Sequence, residues 1–257
     1  MRPGLFFSMK PTALGRTALL LCLLMPGYAF AQEADVEQAP PPSGFFTQLG
    51  RNLFEDVKHL PRRNSVYWWA AGGALALAVH PQDHAINGRL HGTDAGRFFA
   101  PGKHLGSTAV LLGTSAATYA VGSATKSAKL RHLGMDGIEA VILVEGITQG
   151  LKLAVQRQRP DGSRGTYSFP SGHATLTFAT ATVLQQHLGY KAAIPTYLLA
   201  TYVAMSRLHD NRHFASDVIF GAANGIVIGR AVTWHGRNYY ATPMAIPGEA
   251  AMTIAWR

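Results

Sequence analysis

The chain has 257 residues, 47% of them hydrophobic and only 14% charged, and a formal net charge of +9. That is enough for one large domain or two small ones with an ample core, rich for a soluble protein although the mean hydropathy is modest for a chain made of membrane spans. The basic residues are scattered, with no aromatic-interleaved stripe, which excludes a nucleic-acid surface and favours anionic substrates or anionic lipid.

Residues 1–31 read as a secretory leader. Arg2, Lys10 and Arg16 make it basic, Thr17 to Met25 is a short apolar run, and Ala29-Phe30-Ala31 gives a small–x–small cleavage pattern before Gln32. The competing reading, a first transmembrane helix, is weaker because the run is short and ends in Pro26-Gly27. Cleavage removes three of the 23 basic residues and no acidic one, leaving a charge of +6, and it removes the sole cysteine, Cys22. The mature chain then has neither disulfide nor thiol chemistry, as suits an exported protein.

Residues 32–44, with Pro40-Pro41-Pro42, form an extended linker. Phe45, Phe46, Leu49, Leu53, Phe54, Val57 and Leu60 recur at helical spacing up to Pro61, an amphipathic helix that docks on the core or lies on a membrane surface. Docking is favoured, since Glu55 and Asp56 interrupt any purely basic face. Further helices are predicted near 65–80, 103–124, 134–158, 173–189, 191–208 and 216–235, with 81–102 a Gly-, His- and Asp-rich loop carrying at most one short helix. From Asn238 the pattern alternates, turns at Pro247-Gly248 and alternates again, which predicts a terminal β-hairpin. The expected fold is therefore all-α: a bundle of about six core helices over 45–237, followed by a tail at 238–257. Most helices fall short of about 20 apolar residues or carry polar ones, so a periplasmic, membrane-associated bundle is expected, with an integral inner-membrane protein as the alternative.

Three short islands carry the chemistry. Lys152 and Arg159 are seven residues apart, so a continuous helix would aim both along one face with Gln149 and Gln156. Pro170-Ser171-Gly172-His173 precedes a helix-capable run. Ser171 stands at the N-cap and Gly172 lets backbone N–H groups approach a ligand, so this helix start can hold an anion. Ser206-Arg207 ends one helix and His213 follows, with Asp217 four residues on, a spacing at which the carboxylate holds one imidazole nitrogen and frees the other to attack. Each island alone has a bland reading: a solvated basic face, a capped helix, a structural His–Asp pair. Together they supply cations, a helix start, two histidines and a carboxylate, an inventory for phosphoryl transfer.

The set resembles the signature of the type 2 phosphatidic acid phosphatase and vanadium haloperoxidase superfamily: Lys, six residues, Arg-Pro; Pro-Ser-Gly-His; then Ser-Arg, five residues, His, three residues, Asp. Every defined position matches, at Lys152, Arg159, Pro160, Pro170, Ser171, Gly172, His173, Ser206, Arg207, His213 and Asp217. The resemblance implies a helical phosphatase in which His213 is the nucleophile and forms a phosphohistidine, Asp217 orients it, and His173 protonates the leaving oxygen and then activates water. Lys152, Arg159, Arg207, Ser171 and the Gly172 N–H would hold the phosphoryl oxygens, with no metal and no cofactor. The expected substrate is a phosphate monoester or pyrophosphate, preferably of a lipid. A soluble broad-specificity acid phosphatase of the same superfamily is the alternative, and a vanadate-dependent haloperoxidase ranks lower.

Overall fold

A computed structural model describes residues 44–91, 93–164, 166–234, 239–246 and 249–256. The expected leader, and the linker up to residue 43, lie outside the described residues. Helix α1 (Phe45–His59) is followed by α2 (Arg63–Val79), a 3₁₀ turn at His80–Gln82, and the short helices α3 (Asp83–His91), α4 (Gly96–Phe99) and α5 (Gly102–Leu105). Five long helices follow: α6 (Thr108–Ala124), α7 (Ala128–Val155), α8 (Gly172–Leu188), α9 (Tyr190–His209) and α10 (Ala215–Val232). With α2 they make the six-helix bundle. A hairpin, β1 (Tyr239–Ile246) and β2 (Glu249–Trp256), pairs antiparallel from Tyr239 opposite Trp256 to Ile246 opposite Glu249.

Local chemistry sets the helix starts. Ser107 caps α6 by accepting from the Val110 N–H at 3.4 Å, and Ser127 caps α7 in the same way from Leu130 at 3.4 Å. Two expectations change here. Residues 81–102 hold short helices rather than a loop, and the helix expected at 103–124 breaks at Gly106 before α6 begins. The helix expected at 134–158 runs from Ala128 to Val155, where Gln156 turns left-handed at φ 51°. Arg159 therefore lies in the following loop and shares no helix face with Lys152. It precedes Pro160, and a residue in that position is steered away from the helical region.

Helices α7 to α10 run alternately up and down, so the end of α7, the start of α8, the end of α9 and the start of α10 meet at one end of the bundle. The contact between α8 and α10 is made at van der Waals limits. A Cβ added at Gly221, Gly225 or Gly229 would lie 2.8 Å from the Ser171 oxygen, 2.4 Å from that of Thr175 or 2.6 Å from that of Ala179. Glycine every fourth residue lets the two backbones touch along one face. This seam fixes the Ser171-Gly172 turn on the first turn of α10.

The main core is Val144, Leu176, Val183, Val227, Ile228 and Val232, each at most 3% exposed. A second cluster, Ala174, Ala204, Leu208, Ala215 and Val218, floors the end where the motifs converge. Full burial of each aliphatic side chain is worth about 1.5–3 kcal/mol, so packing anchors the motif-bearing ends. At the opposite end α1 docks, with Leu53 on the main core and the Asn52 amide donating to Glu139 Oε1 at 2.7 Å. Its other face leaves Phe46, Phe54 and Val57 exposed.

Candidate active site

His213 follows α9 in the short link to α10 and is buried. Its Nδ1 lies 2.7 Å from the Ser168 carbonyl oxygen. A carbonyl only accepts, so Nδ1 carries the proton and Nε2 keeps a free lone pair. Burial, with the Lys152 and Arg159 charges nearby, holds this imidazole well below its ordinary range and keeps it neutral.

Asp217 sits at the third position of α10, where the helix dipole favours a carboxylate. It does not make the direct hydrogen bond that its spacing predicts: Oδ2 is 4.0 Å from His213 Nδ1. Oδ2 instead accepts from the Ser168 hydroxyl at 2.5 Å and the Phe214 N–H at 2.8 Å, and Oδ1 from Arg157 at 2.6 Å. The carboxylate thus holds Ser168, whose carbonyl holds the imidazole. Arg157 also reaches the buried Asp83 at 2.8 Å, and Asp83 accepts from the Ser216 hydroxyl and N–H at 2.5 and 3.0 Å. Burial opposes ionisation of Asp83, but the Arg157 and Ser216 hydrogen bonds prevail and lower its pKa. Asn87 completes the frame by donating to the His213 carbonyl at 3.0 Å.

Arg157, Ser168, Asp83, Ser216 and Asn87 are the residues that reading the motifs missed. Arg157 carried a signal, as a second arginine beside Arg159 after an apolar helix. Asp83 and Asn87 stand in the segment read as a loop, and nothing local marks them as partners of residues more than 70 positions away.

A cavity of about 670 Å³ opens over this frame, lined by Lys103, His104, Ser107, Arg159, His173, Arg207, Asp210, Arg212 and His213. Four expected site residues therefore share one wall: Arg159, His173, Arg207 and His213. Lys152, Ser171, Gly172 and Asp217 stand behind it. The Lys152 ammonium donates to the Tyr167 carbonyl at 2.6 Å. Arg159 Nε is buried without a partner, and desolvation together with the Arg212 cation lowers its pKa. Ser171 is at the N-cap of α8, yet its side chain makes no capping bond and its buried hydroxyl is unpartnered. A Cβ at Gly172 would meet only a Thr148 methyl at 3.6 Å, so protein packing does not require glycine there. His173 Nε2 donates to the Lys103 carbonyl at 3.0 Å. Among the described residues no group of three or more His, Cys, Asp or Glu side chains could hold a metal ion.

Cations, the unpartnered Arg159 Nε and a neutral imidazole around one cavity are an arrangement able to hold a tetrahedral oxyanion. Residues 134–240 match the PAP2 superfamily, the same superfamily that the three motif islands resemble. The lipid A 1-phosphatase of Porphyromonas gingivalis is 38% identical over 95 residues, covering 36% of this chain and 21% of that protein. The decaprenylphosphoryl-5-phosphoribose phosphatase of Mycobacterium tuberculosis is 34% identical over 90 residues, covering 32% of this chain and 49% of that one. This chain therefore spans less than half the length of either relative. The transmembrane PAP2-type phosphatidylglycerolphosphate phosphatase of Bacillus subtilis superposes with a TM-score of 0.55 at 23% identity, over 65% of this chain and 93% of that one, a likeness of fold.

Proposed function

We propose that the protein is a phosphatase that hydrolyses a phosphorylated lipid through a phosphohistidine. The observation that carries this is the His213 Nδ1–Ser168 carbonyl bond, which leaves Nε2 as a free nucleophile at the wall of a cationic cavity. The Nε2 lone pair forms the N–P bond as the P–O bond to the lipid alcohol breaks. The leaving oxygen takes a proton from His173. With Nε2–H bound to the Lys103 carbonyl, Nδ1 of the protonated, imidazolium form is the nitrogen that gives this proton up, leaving the ring neutral. Water then attacks phosphorus, the N–P bond breaks and returns its electron pair to Nε2, and the water proton restores His173. Arg159, Arg207, the Ser171 hydroxyl and the Gly172 N–H stabilise the oxyanion, with Lys152 adding charge from behind. Relatives named as phosphatases of lipid phosphates support the substrate class.

The bundle is proposed to sit in a membrane. Val66, Leu75 and Leu77 on α2, Val121 on α6, and Ile194 and Leu198 on α9 are all more than half exposed, a belt that water does not favour. Only Ala215–Val232 among the described helices is long and apolar enough to count as a span alone, and it is mostly buried. Helices of 17 residues such as α2 still rise about 25 Å, close to a bilayer core. The exposed face of α1 then lies in the interface opposite the catalytic end, separated from it by the single crossing α2. A cleaved leader and a periplasmic site consequently fit together only if the bundle does not span. In a spanning protein, a periplasmic site leaves α1 in the cytoplasm.

Trapping acid-labile phosphate on His213 during turnover of phosphatidate tests the function. His213→Ala should abolish both the trap and phosphate release, and activity at the wild-type level would overturn the assignment. Cysteines at Ser163 and Lys126, placed singly in a Cys22→Ser background, should label from opposite sides of the membrane. Labelling from the same side, or release of the protein by carbonate, would overturn the spanning arrangement.

A further inference from the structure

The far end of the bundle holds a second concave site, remote from all three motif islands. A cavity of about 120 Å³ opens where α2 begins and α10 ends, and Arg62, Asn64, Ser65, Trp68, Arg230 and Trp234 are among its lining residues. One water needs only about 10–15 Å³, so a group the size of a phosphate has room. Helices α2 and α10 run antiparallel here, pinned where Trp69 Nε1 donates to Asn224 Oδ1 at 3.0 Å. Arg230 stands 15 residues beyond Ala215, which places the cavity about 22 Å from the catalytic end along the helix axis.

Two indoles hold the arginines and leave their hydrogen-bonding edges free. Arg62 Cζ lies 3.3 Å from the centroid of the Trp234 ring, and Arg230 Cζ lies 5.2 Å from that of Trp68. Stacking uses the face of a guanidinium, while its N–H donors point outward in the plane and can only donate. Among the described residues neither guanidinium has a carboxylate partner or a hydrogen-bond acceptor. Glu55, the acid of α1 that reaches the surface, is paired with Lys58 at 3.2 Å. Two cations that line one cavity with unused donors form a receptor for an oxyanion, and their forked edges suit the oxygens of a single phosphate.

The depth of the cavity selects the anion. In the spanning arrangement α2 and α10 cross the hydrocarbon, and their far ends reach headgroup level, where Tyr67, Trp68 and Trp234 are exposed as amphipathic rings that favour such an interface. The anions concentrated there are phospholipid phosphates. Val66, Leu75 and Leu77, exposed further along the same α2, offer apolar surface to acyl chains. We propose that the cavity binds the phosphodiester of an anionic phospholipid in the leaflet opposite the catalytic site, with Arg62 and Arg230 donating to its free oxygens. The leaflet rests on the spanning reading, whereas the chemistry of the pocket does not. An anionic headgroup keeps its charge for the two arginines, but a zwitterionic one brings a cation that they repel. The bound lipid joins the start of α2 to the end of α10.

Calorimetric titration of the full chain in a neutral detergent tests the pocket. The probes are dihexanoyl phosphatidylglycerol, a diester that a monoesterase does not cleave, dihexanoyl phosphatidylcholine and inorganic phosphate. Phosphatidylglycerol should bind wild type about tenfold tighter than phosphatidylcholine, the effect of one charge-assisted hydrogen bond. Arg230→Gln and Arg62→Gln should each remove most of that difference. Arg230 is exposed, so its replacement should leave the fold intact and phosphate release within about twofold of wild type, because the cavity lies far from the chemistry. Equal affinity for the two lipids in wild type, or a preference that persists in both variants, overturns the site. Inorganic phosphate bound as tightly as phosphatidylglycerol, and lost in Arg230→Gln, overturns the lipid as occupant. Binding in detergent needs neither turnover nor a bilayer, so it is decided even if His213 proves not to be a nucleophile. A lipid preference in a protein that carbonate releases from membranes would overturn the leaflet assigned.

Discussion

Both ends of the bundle gather ionisable groups, basic at the catalytic end and acidic where α1 meets α7, with opposite access to water. At the catalytic end Arg159, Arg207 and Arg212 face an open cavity, and Arg159 Nε and Ser171 Oγ are left without partners. At the far end Asp56, Asp136 and Glu139 are buried where α1 meets α7, with Asn52 on Glu139 and His187 on Asp136 at 2.7 Å each. The first arrangement keeps polar groups unsatisfied for a ligand to complete. The second spends Asn52 on Glu139 and so ties α1 to the bundle. Substitutions at the two ends should therefore separate activity from stability.

Arg159→Ala is expected to have the largest effect. Removing an oxyanion donor typically costs about 10²–10³-fold, so kcat/KM should fall by that amount. The unfolding free energy should be unchanged or higher, because a buried like-charged neighbour of Arg212 is gone. The same change should raise the His213 pKa, since the Arg159 charge helps to depress it, and so move the acid limb of the kcat/KM profile to higher pH. A fall in stability that matches the fall in activity would make Arg159 a structural residue.

Asn52→Ala should do the reverse. It strips the partner from Glu139 Oε1, and a buried polar group left without its partner costs about 1–3 kcal/mol. Urea unfolding should show that loss while kcat/KM stays within about twofold. A large loss of activity here would mean that the two ends are coupled.

Stability should also respond to pH with opposite sign at the two ends. His213 has a lowered pKa when folded, so below its ordinary value of 6.5 the unfolded chain binds the extra proton and stability falls as pH falls. Asp56, buried and near the Asp136 and Glu55 charges, is raised from 3.8 to about 8. There the folded chain holds the extra proton, and stability is lost as pH rises from about 4 towards 8. Unfolding measured from pH 4 to 8 should show His213→Asn flattening the acid side and Asp56→Asn flattening the alkaline side. Parallel curves for wild type and both variants would refute this opposition.

These contrasts also mark what the sequence can show. The six long helices were legible because their apolar content runs well beyond a strand's length, and the motif residues because cations and histidines stand out in such a background. The far cluster was not legible. Asp56 and Glu139 read as ordinary charges on helices, and only packing brings them together. Arg159 was misplaced because helical spacing was carried through Gln156, where the backbone turns left-handed. The link from Asp217 to His213 through Ser168 was missed because a backbone carbonyl leaves no trace in side-chain spacing.

The smallest expected effect sharpens the comparison most, because it sets a local rule against the site. Ser171 stands at an N-cap, where serine to alanine ordinarily costs about 1 kcal/mol. Its hydroxyl makes no capping bond, and the Thr175 N–H that follows binds the Ser171 carbonyl at 2.9 Å as any helix would. Ser171→Ala should therefore cost less than about 0.5 kcal/mol of stability, below the usual value for a cap. The same hydroxyl is buried and unpartnered beside the Gly172 N–H, so it is available to the phosphoryl group. One neutral hydrogen bond, at about 0.5–1.5 kcal/mol, corresponds to a drop in kcat/KM of up to about tenfold. Thermal unfolding and phosphate release on one preparation would measure both. A loss of 1 kcal/mol with kcat/KM intact would return Ser171 to a plain helix cap and remove it from the oxyanion cradle.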